Sequence, residues 1–169
     1  MGRVTEGGKA GLLAGLIYAV LTAAVVVTLL ILFQSSVVKV VGTGVAYNQI
    51  LAADALVAVI FGIVAGILLG LVYGAVSDRI PGRRGVTKGL VFALILWAIL
   101  HVLADYLGNL KYGVTFYLVD IGLGLGTSLV YGVLLGVFFE RAMNRLASSG
   151  RKNALDESGS TQESRGARP

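Results

Sequence analysis

Charge is scarce in this chain of 169 residues: 14% are Asp, Glu, Lys or Arg, against about 25% in soluble domains. Cysteine is absent, which excludes disulfides and thiolate-held metals but says little about compartment. Catalytic patterns are missing too. There is no His-Glu-x-x-His, no serine with a plausible histidine partner, no phosphate-binding glycine loop and no pair of aspartates at matching depth within the apolar segments. The expectation is a protein without enzymatic activity and without a cofactor. What fills the chain instead is apolar: 56% of the residues are hydrophobic and the mean hydropathy is +0.85. A soluble core of this size cannot absorb that much apolar surface.

The apolar residues fall into four blocks. Residues 10–33 and 55–76 carry no charge at all. The block 89–107 holds His101 and Asp105 towards its far end, and 114–139 holds only Asp120 near its start. At about 1.5 Å per helical residue each approaches or exceeds the length needed for a hydrocarbon core of roughly 30 Å. Lipid offers no partners to backbone N–H and C=O groups, so the spans must be helical, and they lack the roughly ten-residue alternation of a β-barrel. The first block follows Arg3 and Lys9 as a signal peptide would, but it is far longer than a signal's apolar region and ends in no clean small-residue cleavage site.

Twelve of the fourteen basic residues sit in the N-terminus (Arg3, Lys9), the second connection (Arg79, Arg83, Arg84, Lys88) and the C-terminal segment (Arg141, Arg145, Arg151, Lys152, Arg165, Arg168). Lys39 and Lys111 alone fall in the other two connections. The rule that basic loops stay inside predicts both termini on the cytoplasmic side of the cell membrane. The net charge of +5 is then a product of topology, and nucleic acid is excluded as a partner. The arginines around the Pro81-Gly82 turn face anionic headgroups most simply.

The expected fold is an all-α membrane protein: residues 1–147 as four transmembrane helices in two repeated helical hairpins, followed by a disordered cytoplasmic tail over 148–169, where apolar residues nearly vanish. The outer segment 34–48 mixes β-branched residues with a Gly-Thr-Gly turn and reads as a short hairpin or an interfacial loop. Its Gly42-Thr43-Gly44-Val45-Ala46-Tyr47 lacks both the residue order and the pore helix of a potassium filter.

Small residues recur every fourth position. The second block reads Asp54, Ala58, Gly62, Gly66, Gly70, Gly74, Asp78, and the fourth reads Asp120, Gly124, Ser128, Gly132, Gly136, Glu140. Both series place an acid at each edge and a ladder of small residues between. The first and third blocks match more weakly at a shift of 78, Gly11, Gly15, Ala19, Ala23, Val27 against Gly89, Ala93, Trp97, His101, Asp105. Such ladders let helix backbones approach closely in lipid, within the chain or between copies in a homo-oligomer. Two hairpins that each start inside form a parallel repeat, a pattern known from some transporters.

Ionisable groups within spans are costly, so they carry the functional reading. His101 falls near the expected midplane, with Trp97 and Asp105 one turn away on either side of it along the same face. Asp54, Asp105 and Asp120 are expected at the outer mouth. On one reading these residues form a proton or cation site, with an imidazole that titrates near neutral pH beneath a carboxylate vestibule. On the other, His101 is neutral and hydrogen-bonds Thr22, Thr127 or Tyr131, while the acids cap helix starts. No metal motif accompanies them.

The stretch Tyr73-Gly74, Asp78, Pro81-Gly82, Lys88-Gly89-Leu90, Trp97 and His101 resembles a pattern in uncharacterised small membrane proteins of bacteria and archaea, including the YagU-like inner-membrane family. The resemblance implies the membrane class and no particular activity. The functional expectation is permeation of a small solute, proton or cation. The alternative is a structural or accessory subunit bound to other membrane proteins.

Overall fold

The computed structural model describes residues 2–41, 44, 46–100 and 109–166, with the backbone alone at 110, 150 and 152–166. Among the described residues there are helices and no strand: α1 (Gly2–Leu32), α2 (Gln34–Val41), α3 (Tyr47–Val76), α4 (Gly85–Trp97), a single 3₁₀ turn (Leu110–Tyr112) and α5 (Val114–Gly166). Three helices are long and apolar enough to cross a membrane: α1, α3 and the Val114–Ser149 part of α5. The apolar helix α4 is shorter and loosens into a wider π-type turn over residues 98–100.

The outer segment departs from expectation. Residues 34–41 form a helix, not the arm of a β-hairpin: after Phe33 the N–H groups of Ser36 and Val37 return to the Phe33 carbonyl at 2.9 and 3.0 Å. Burial of Val37 against the bundle outweighs the strand preference of its β-branched neighbours, a preference that depends strongly on context. Beyond residue 148 the polar stretch continues as helical backbone to Gly166, where its composition alone predicts disorder.

Two antiparallel helix pairs make up the bundle. Along α1 and α3 the backbones meet in four rungs, Gly7 with Gly74, Gly11 with Gly70, Gly15 with Gly66 and Ala19 with Gly62. A Cβ added to Gly70 would lie 2.6 Å from the Gly11 Cα, closer than real Cβ atoms come. In the second pair Gly136 meets Gly85, and Gly132 meets Gly89 and Ala93. Where lipid solvates side chains as well as protein does, helices associate through dispersion and close backbone contact. Glycine permits both.

Packing of α1 on α5 joins the pairs. The core between them is aromatic and sits towards the end where the chain begins: Tyr73, Phe92, Tyr131, Leu135 and Phe139 pack with Ala10 and Ala14. Tyr73 stands at 5.3 Å from Phe92 and 5.2 Å from Phe139, ring centre to ring centre, distances at which aromatic pairs attract.

Polar contacts mark both ends. At the N-terminal end Arg3 pairs with Asp78, and the carboxylate of Glu140 accepts the Gly85 N–H at 3.0 Å. At the far end the Tyr47 hydroxyl donates to the Leu30 carbonyl at 2.6 Å and Phe33 packs edge-on against Phe116. Outward faces are greasy, with Val20, Leu32 and Leu118 among the exposed large side chains, as lipid contact requires and water would penalise.

Candidate functional site

Between the pairs, at the far end, lies a cavity of about 400 Å³. Its polar lining comes from three helices and one connection: Tyr18 and Thr22 on α1, Asp54 on α3, Asp120 and Thr127 on α5, and Asn109 just before the 3₁₀ turn. Asp54 is exposed and Asp120 half-buried. The Asn109 amide donates to an Asp120 carboxylate oxygen at 2.8 Å, which orients that carboxylate on the cavity wall. Asp54 and Asp120 thus place two carboxylates on the lining of one cavity.

Thr22 is the unusual member. Helical threonines commonly return their hydroxyl to a carbonyl one turn back, as Thr28 does to Ala24 at 2.8 Å. The buried Thr22 hydroxyl has no hydrogen-bond partner among the described residues, although such groups ordinarily have one.

Below the polar lining the cavity becomes apolar. Tyr18, Phe61 and Leu100 separate it from a small void of about 40 Å³, lined chiefly by apolar side chains and by Ser128, Trp97 and Tyr131. Two donors there are committed to backbone: the Trp97 indole N–H to the Ile121 carbonyl at 3.2 Å and the Tyr131 hydroxyl to the Gly66 carbonyl, also at 3.2 Å.

Of the residues singled out in the sequence, Asp54 and Asp120 line one cavity, with Gly62 and Gly124 beside them. Gly66, Gly70 and Gly74 face α1, Gly132 and Gly136 face α4, and Ser128 is buried. His101 and Asp105 lie outside the described residues. Two hydroxyls that the sequence offers to His101 have other partners: Thr127 donates to the Gly124 carbonyl at 3.1 Å and Tyr131 to Gly66. Among the described residues no three His, Cys, Asp or Glu side chains gather as a metal site would require. Sequence reasoning missed Asn109, whose one signal is its place directly after the third apolar block.

The chain belongs to the family of unknown function DUF6789, which matches it over residues 1–149. No curated protein and no solved structure matches it. The YagU-like resemblance of the stretch 73–101 finds no counterpart in these comparisons.

Proposed function

We propose that this chain is a non-enzymatic, multi-pass protein of the cell membrane that admits a small cation or protonated solute into the cavity at its outer end. The observation that carries this reading is that Asp54 and Asp120, sixty-six residues apart, line one cavity together with the Thr22 hydroxyl, which has no hydrogen-bond partner among the described residues. Carboxylates held near a low-dielectric wall attract cations more strongly than they would in water.

The accompanying topology has four crossings in two repeated hairpins, with both termini cytoplasmic. Its support is geometric. Gly85 is bonded to Glu140 at one end and Asn109 to Asp120 at the other, so the chain between them runs the length of α5 that separates those acids, about 30 Å at 1.5 Å per residue. That is one hydrocarbon thickness. The basic residues supply the orientation.

A second reading, that of an accessory subunit, is favoured by the floor of Tyr18, Phe61 and Leu100, which separates the outer cavity from the smaller void beneath it among the described residues. The discriminating experiment is cation and proton flux in reconstituted vesicles under imposed gradients. Permeation requires flux that falls in both Asp54→Asn and Asp120→Asn while the folded yield is kept. Wild-type vesicles without flux under any gradient leave the subunit reading.

A further inference from the structure

At the opposite end of the bundle from the acidic cavity, a cleft of about 170 Å³ opens where α3 gives way to α4. One of its acids is ion-paired, Asp78 with Arg3; the other, Glu140, accepts the Gly85 N–H through one carboxylate oxygen and keeps its charge. Its other cations are not neutralised. Lys88 donates to the Ser77 carbonyl at 2.8 Å, an uncharged acceptor that takes one of its three N–H groups. The guanidinium of Arg83 makes no hydrogen bond or ion pair among the described residues, and the Asn144 amide in the same lining is likewise uncommitted. The cleft thus sets three cations, Arg3, Arg83 and Lys88, against two acids, Asp78 and Glu140, with Arg83 and Lys88 outside any ion pair among the described residues.

We propose that this cleft binds a phosphate ester, with Arg83 and Lys88 as its charged donors, and that the phosphate is that of an anionic lipid headgroup. Arg supplies a planar fork that matches phosphate oxygens and Lys a mobile point charge. The lipid source follows from the rest of the lining: Met143 and the edge of Phe139 place apolar surface beside the cations, where a headgroup continues into glycerol and hydrocarbon and a free phosphate would have only lost water. The site stands apart from the proposed permeation and does not depend on it.

The test uses full-length protein in a non-ionic detergent at physiological ionic strength, its melting temperature followed with added phosphatidylglycerol, phosphatidylcholine or inorganic phosphate. Phosphatidylglycerol should raise the melting temperature and phosphatidylcholine should not. Arg83→Gln should weaken the apparent affinity for phosphatidylglycerol by about tenfold or more, the scale of losing one charge-assisted hydrogen bond. Arg79→Gln and Arg84→Gln, whose side chains are outside the lining, should keep it. Lys88→Gln serves as a second variant, with the lipid-free melting temperature as control for its bond to Ser77. Equal weakening by Arg83→Gln, Arg79→Gln and Arg84→Gln would reduce the effect to diffuse attraction and overturn the site. An equal response to inorganic phosphate would overturn the lipid as its source.

Discussion

The hydroxyl of Tyr131 on α5 donates to the carbonyl oxygen of Gly66 on α3 at 3.2 Å, tying the second helix pair to the middle of the first pair's glycine ladder. Gly66 can be reached there because it has no side chain to cover its own backbone. The bond should nonetheless be modest, since interhelical bonds in membranes average about 0.6 kcal/mol. Tyr131→Phe should keep the ring contact with Tyr18 and cost roughly that much in a reversible denaturation assay in detergent; a loss above about 2 kcal/mol would mean the hydroxyl does more than this bond.

The ladders make a sharper claim. In Gly66→Ala the new methyl would lie 2.5 Å from the Gly15 Cα, and in Gly132→Ala 2.6 Å from the Ala93 Cβ. Backbone cannot yield as a flexible side chain can, so each should lose about 1–3 kcal/mol of stability, the usual scale of overpacking. Gly126 has open space around it, and Gly126→Ala should leave the melting temperature unchanged. Matching behaviour of all three variants would show that the rungs are not close-packed.

Glu140 acts as a cap supplied from another helix. Arg84, at the start of α4, provides no side-chain bond to the helix, and the Glu140 carboxylate takes the Gly85 N–H instead. Glu140→Ala should therefore cost about 1 kcal/mol, as loss of an ordinary N-cap does, and Glu140→Gln, which retains an acceptor oxygen, should cost less. Thermal unfolding of the two variants side by side decides it.

Thr22→Val separates stability from ligand binding. The hydroxyl has no partner among the described residues, so its removal should leave stability unchanged or raise it slightly, because a buried unpaired polar group is a cost. If the cavity takes a cation or protonated solute, the same change should weaken its uptake, read as flux or as ligand-induced stabilisation. Destabilisation by more than about 1 kcal/mol would show instead that the hydroxyl is bonded in the native protein.

The topology can be read directly. Reporter fusions after Tyr112 and at the C-terminus should report opposite sides of the membrane, the C-terminal one cytoplasmic. Both on one side would sink the four-crossing arrangement.

How far these features could be read in the sequence depends on how locally each is determined. The apolar blocks locate α1, α3, α4 and α5 because lipid demands an unbroken apolar length, and spacing by four exposes the glycines that face α1. Helix starts are less legible. The sequence places the second span at residue 55, whereas α3 begins at Tyr47; Asn48, Gln49 and Asp54 are polar yet remain helical. The helix α2 is hidden because Val37, Val38, Val40 and Val41 read locally as strand, and only tertiary burial decides otherwise. In the cavity, Asp54 and Asp120 stand out as lone acids at apolar edges. Asn109 and Thr22 do not, because the place of each on the cavity wall depends on what a distant segment sets next to it.

The four backbone rungs between α1 and α3 also restrict how this protein can move. Helices in contact along Gly7, Gly11, Gly15 and Ala19 cannot part without losing several contacts at once, so α1 and α3 travel together as one lever. In the other pair Trp97 stands where the shift of 78 aligns it with Ala19, and its indole holds Ile121 where a small residue would have let the backbones touch. The two levers meet through the packing of α1 on α5, the ring contacts around Tyr73 and the Tyr131–Gly66 bond, and no glycine rung links them among the described residues. An opening of the floor at Tyr18 and Phe61 would then have to rock one pair against the other, because the rungs hold α1 and α3 together.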